Sequence, residues 1–181
     1  FQGAANGFAR LLVSNLLPNH INSQCILELI DPIFRGTSNL IRRDGSLEEA
    51  FPNEGSFCVT ALVAYDLLTA TSLLKKKITK EKYDKYIIIV KPLIEYLKSK
   101  DENHGIISNH LATAACALMK WNKLTQDSSV LKKYKKIFNR ILSHQSTEGW
   151  YQEYEGADPG YQSLCTYYLA DLYQMTKDQH L

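Results

Sequence analysis

Carboxylates, histidines and flat aromatic rings gather in three glycine-punctuated stretches of this 181-residue chain. The first, DGSLEEAFPNEGSF, holds Asp44, Glu48, Glu49, Asn53 and Glu54. The second, KDENHGIISNHL, holds His104, Asn109 and His110; the third, EGWYQEYEGADPGY, holds Trp150, Glu153, Tyr154, Asp158 and Tyr161. Two reactions use residues of these types. Carboxyl groups held ~5–9.5 Å apart hydrolyse a glycosidic bond, one as acid and the other as base or nucleophile. Glu54 with Asp158, or Glu49 with Glu153, would supply such a pair from opposing loops. Alternatively, a base removes the proton beside a uronate carboxylate while another group neutralises that carboxylate. Asn109, His110, Tyr151, Tyr154 and Tyr161 are residues of types that such acid–base chemistry can use. Trp150, Tyr154 and Tyr161 offer flat faces to a pyranose, and Asn53 can bond its hydroxyls.

Each of these residues also has a plainer reading. Loop acids are commonly solvated or cap helices, and aromatic rings commonly pack in cores. Asp158 before Pro159 suits a helix start, and Asn109 suits a cap. No metal is expected, because His104 and His110 lie six apart and no HExxH-like spacing occurs. A phosphate-binding glycine loop is absent too, and no cofactor is expected.

The elements that must carry these stretches read as helices. Apolar residues at helical spacing predict helices over 4–17, 22–34 with its clean part ending at about 31, 56–74, 79–98, 108–124, 130–144 and 160–176. Pro32 is expected to end the clean part of the second, leaving a long loop from Arg35 to Glu54. Thr79 suits the cap of the fourth, which Pro92 should bend, and Ser108 or Asn109 that of the fifth. The lysines of 132–136 read as a solvated face. Apart from its first residues, the chain is expected to be one domain, 4–181.

An internal repeat ties the elements together. Aligning Gly45 with Gly149 sets Glu49 over Glu153, and aligning Gly55 with Gly160 sets Asp66 over Asp171. The turn at Gly105 reads as a shortened third copy. Repeated antiparallel hairpins bury one face against their neighbours and curl, which predicts an all-α fold of about seven helices forming a partial α/α toroid. Six hairpins at ~40–50 residues each would complete one, so this is about half. All three loops would emerge at one end.

On the segments GWYQEYEGADPGYQSL, DGSLEEAFPNEGSF and ISNHLATAACAL, residues 40–175 resemble bacterial α/α-toroid proteins of polysaccharide metabolism, including heparinase-like proteins. The resemblance implies a carbohydrate-binding or carbohydrate-processing domain, a glycoside hydrolase or polysaccharide lyase if an enzyme. Glu54, His110, Glu153 and Asp158 are its candidate catalytic residues, and Asn53, Asn109, Trp150, Tyr154 and Tyr161 its candidate substrate-binding residues. A single Gln145, Gly149, Trp150 set is similar to the repeat of terpenoid cyclases, without their acid or metal motifs. The alternative is a noncatalytic helical-repeat module that binds a protein or a neighbouring domain.

Composition narrows the partners. A net charge of +2, from 21 basic and 19 acidic residues, provides no general field for nucleic acid or anionic lipid. No apolar run reaches the ~18–20 residues that span a bilayer, so no membrane span is expected. An oligo- or polysaccharide is the expected partner, with other domains of a longer parent chain, since Phe1–Gly3 reads as a tag remnant and the rest as a fragment. Cys25, Cys58, Cys116 and Cys165 form no CxxC pair and read as free, mostly buried thiols. A cytoplasmic location is expected over an exported one.

Overall fold

The computed structural model describes residues 3–179 of the chain. It is all-α, with 67% helix and no strand among the described residues. Seven α-helices follow in order: α1 (Gly3–Val13), α2 (Ser23–Leu40), α3 (Phe57–Leu74), α4 (Lys80–Ser99), α5 (Ser108–Thr125), α6 (Leu131–Leu142) and α7 (Pro159–Thr176). Packing divides the chain after Tyr96 into two compact units.

In the first unit α1 packs on both α2 and α3. Asn6 of α1 donates to Asp66 of α3 at 2.8 Å, and burial raises the Asp66 carboxyl above its ordinary value although Asn6 and Arg10 act against that rise. Helix α2 runs through Pro32 to Leu40 rather than stopping at Asp31. Proline removes one N–H from the ladder, but both Pro32 and Glu28, whose carbonyl loses that donor, face solvent, where water can bond it. The loop expected from Arg35 therefore begins only after Leu40. Helix α1 ends four residues earlier than its apolar spacing predicts, before Asn15 at φ 55°.

Helix α3 is a longer apolar run than the sequence reading allows. Its 18 residues have a mean hydropathy of 1.7, long and apolar enough to cross a bilayer. The sequence looks more broken than it is, because Thr60, Thr69 and Thr71 return their hydroxyl protons to the carbonyls of Ser56, Tyr65 and Leu67. Two thirds of the helix, 67%, is buried inside the fold, and Ala61, Ala64, Leu67 and Leu68 are fully so. It is a core helix by its packing.

In the second unit α5 packs between α6 and α7. Its Ala112, Ala114, Ala115 and Ala117 are all buried, and such small side chains allow close helix approach. The four cysteines are free thiols: Cys116 and Cys165 are buried, Cys58 is half-buried, and Cys25 is exposed against expectation.

The repeat appears in the backbone. The Gly45 N–H bonds the Arg42 carbonyl at 3.0 Å, and the Arg42 N–H bonds the Ser46 carbonyl at 2.9 Å. Five residues of the third loop, 146–150, copy this, with Gly149 to Ser146 at 3.0 Å and Ser146 to Trp150 at 2.8 Å. Both glycines take positive φ, 87° and 95°, a conformation that glycine adopts without strain. Each loop leads into an 18-residue helix, α3 or α7, and α5 has the same length. The caps, Ser56 and Asp158, correct the register of the helical half. Gly55 precedes its cap whereas Gly160 lies inside α7, so aligning those two glycines shifts the helices by nearly one turn.

Candidate functional site

The chemistry-bearing side chains of the second unit converge on the N-terminus of α5. Its first turn exposes N–H groups that need acceptors, and the residue at the cap, Ile107, offers no side-chain oxygen. Neither Ser108 nor Asn109 caps it. Instead, the third loop lies against it: the Tyr154 N–H bonds the Ile106 carbonyl at 2.8 Å, and Ser108 gives both its N–H and its hydroxyl to the Gln152 carbonyl. Glu153 completes the cap from 44 residues away. One of its oxygens accepts the Asn109 N–H and the other the Asn109 side-chain amide, each at 2.8 Å. Glu153 is 2% exposed, and this burial raises its carboxyl above the ordinary 4.5, a rise that the Asn109 bonds and the His110 charge only partly offset.

A second buried carboxylate lies before the same helix turn. Glu102 has no side-chain exposure. One oxygen accepts the His104 N–H at 2.9 Å and the His104 Nδ1 at 2.8 Å; the other faces the His110 Nδ1 at 2.8 Å. Burial acts to raise this carboxyl too, but the hydrogen bonds from His110 and His104, with the His110 charge, outweigh it and hold the group at about 2. An ionised carboxylate can only accept, so each Nδ1 must be the donor. A neutral His110 imidazole then carries its free lone pair on Nε2. His110 is 14% exposed and His104 is 77% exposed.

Helix α6 fixes this turn. Arg140 donates to the carbonyls of Glu102 and Gly105 at 3.1 and 2.8 Å. Lys133 and Lys136 reach Asp101 at 2.6 and 2.8 Å, so these two lysines form ion pairs rather than a purely solvated face.

The remaining third-loop candidates divide between scaffold and surface. Asp158 caps α7 by accepting the Tyr161 N–H at 2.8 Å. The Trp150 indole N–H bonds Glu148 at 3.2 Å, with the ring half-buried. Tyr154 and Tyr161 are 49% and 39% exposed, with ring centroids 5.9 Å apart. Tyr154 holds φ 56°, which turns the chain sharply after Glu153.

In the first unit, the loop acids spend their oxygens locally. Glu54 accepts the N–H groups of Glu49 and Ala50. Glu49 accepts the Ser56 hydroxyl at 2.9 Å, and Glu48 accepts the Asn53 N–H and an Arg42 N–H, at 2.7 and 2.8 Å. Arg42, Arg43, Asp44, Glu48 and Asn53 line a shallow hollow of about 350 Å³. Glu49 and Glu54 thus belong to one unit, and Glu153 and Asp158 to the other.

Glu102 escaped the sequence reading. In KDENHG it looks like one more solvated turn acid, and only its spacing to His104 and His110 signals otherwise. No group of three metal-binding side chains assembles among the described residues. No family model, curated protein or solved structure matches the chain.

Proposed function

We propose that this chain is a carbohydrate-processing domain whose helical hairpins form part of an α/α toroid, with proton abstraction by His110 as its chemistry. The observation that carries the proposal is the Glu102–His110 contact. A buried carboxylate that takes the Nδ1 proton orients the ring and stabilises the imidazolium that forms when Nε2 accepts a proton. That suits β-elimination beside a uronate carboxylate better than hydrolysis. Hydrolysis needs two accessible carboxyl groups, whereas Glu54 bonds backbone, Glu153 is buried and Asp158 caps a helix. The exposed Tyr154 and Tyr161 supply sugar-stacking faces and candidate acids for the leaving oxygen. Asn109 fits the carboxylate-binding role poorly, because its amide N–H already serves Glu153.

Elimination leaves a conjugated double bond in the product, so ultraviolet absorbance on a panel of uronate-containing polysaccharides tests the reading. Wild type should generate absorbance and His110→Ala should lose at least about 100-fold of the rate. Folded wild type that neither cleaves nor binds any glycan would overturn it.

The protein-interaction reading keeps one specific support. Helix α7 exposes the large apolar side chains Tyr161, Leu164, Tyr167 and Tyr173, of the kind that interaction surfaces use. Loss of partner capture on changing these residues, with no glycan chemistry in wild type, would favour it.

A further inference from the structure

A second concavity lies in the first unit, between α2 and α4, and has a different chemistry. It encloses about 270 Å³, just below the ~300–1,000 Å³ of pockets for drug-sized ligands, so its occupant must be small. Phe34 and Tyr86 stack face to face, centroids 3.7 Å apart and 6° from parallel, and both rings are buried. They form a rigid wall. Beside them the Tyr86 hydroxyl and Lys82 both bind Asp31, Lys82 at 2.7 Å, and Lys82 leads the contacts that hold the Asp31 carboxyl below its ordinary value against the effect of burial. That set is internally satisfied.

The rest of the lining carries further charges. The Arg35 and Lys85 side chains are exposed on this lining, and the Arg35 charge helps to hold Asp31 ionised. Glu81 also faces the cavity without a hydrogen-bonded partner there. The Thr79 hydroxyl oxygen accepts the Lys82 N–H at 3.2 Å, which leaves its proton free to donate. Three cations face two carboxylates, a net of one positive charge. We propose that this pocket binds a phosphorylated monosaccharide.

Each part of such a ligand has a counterpart. Arg35 offers a planar fork that matches two phosphate oxygens, and Lys85 adds a point charge. Thr79 donates from the position just before α4, whose N-terminal end favours an anion. Glu81 accepts from sugar hydroxyls, a role no cation can fill. Ile89 closes the lining with apolar surface for the ring carbons. The pocket lies wholly within the first unit and needs nothing from His110.

Isothermal titration with glucose 6-phosphate, inorganic phosphate and glucose tests this. Glucose 6-phosphate should bind with Kd at or below about 1 mM, inorganic phosphate more weakly, and glucose not detectably. Arg35→Ala and Lys85→Ala should each weaken glucose 6-phosphate about tenfold, while Glu81→Gln should weaken glucose 6-phosphate and leave inorganic phosphate unchanged. His110→Ala should bind like wild type, so failure of the elimination chemistry and failure of this site are separately readable. Lys132, an exposed cation of α6, provides the control. Absence of glucose 6-phosphate binding, or equal weakening by Lys132→Ala, would overturn the proposal. Equal affinity for inorganic phosphate and glucose 6-phosphate would overturn its sugar component.

Discussion

Glu102 and Glu153 are the same residue at nearly the same burial, each 2% exposed, and each bonds within the first turn of α5. Their charge preferences are opposite. Glu102 meets two imidazoles, and its carboxyl is held at about 2. Glu153 meets one neutral amide and one backbone N–H, which even with the nearby His110 charge do not offset burial, and its carboxyl rises above 4.5. Burial alone therefore does not decide the charge of a buried acid; the partners that replace water do. In this protein one partner set builds an oriented histidine and the other builds a helix cap.

The largest effect separating the two should come from deleting the ionised one. Glu102→Ala leaves His104 and His110 without their acceptor and should cost about 3 kcal/mol in chemical denaturation. Its acid dependence has a definite sign. A carboxyl held below its unfolded value stabilises the fold above pH 4.5 and loses that contribution as pH falls toward about 2. Glu153 acts in the other direction: its raised carboxyl means the fold gains stability as pH falls through that value toward 4.5. Denaturation midpoints measured across pH should show both trends, the first absent from Glu102→Gln and the second absent from Glu153→Gln. If both variants keep the wild-type profile, the contrast fails.

Glu153→Gln should cost less at neutral pH, about 1–2 kcal/mol, because an amide oxygen still accepts one of the two Asn109 bonds. Asp158→Ala, which removes an ordinary cap from α7, should cost about 1 kcal/mol by the same assay. It calibrates how much more a distant buried cap such as Glu153 contributes. The smallest effect belongs to His104→Ala, under about 1 kcal/mol, since that ring is 77% exposed. A His104 variant as damaging as Glu102→Ala would show that the exposed histidine, not His110, anchors the carboxylate.

Helix existence was legible in the sequence because apolar spacing is a local signal. The β-branched run Ile87–Val90 lies inside α4, because the helical period continues on both sides of it. Boundaries failed where a distant residue intervened. The start of α5 looks as though Ser108 or Asn109 must cap it, yet the acceptors come from Gln152 and Glu153. Pro32 looks like a helix end, and only its place on the solvent side lets α2 continue. The repeat was visible in Gly45 and Gly149 because positive φ demands a residue type. The slip between Gly55 and Gly160 was invisible because one glycine serves a turn and the other a helix.

At the candidate site, types were easier to read than roles. His110 and Glu153 were visible as chemistry-bearing residues, but their partners were not. Spacing shows which side chains share a face, whereas the environment of Glu102 depends on how a turn folds back onto α5. Glu49 and Glu54 illustrate the converse: five residues apart in a promising motif, they serve the loop that contains them.

Site-resolved carboxyl carbon chemical shifts, followed by NMR from pH 7 to pH 2, test the central contrast most directly. Glu102 should remain ionised down to about 2, while Glu153 should take up its proton above 4.5. Titration of both groups near 4.5, or in the reverse order, would contradict the account.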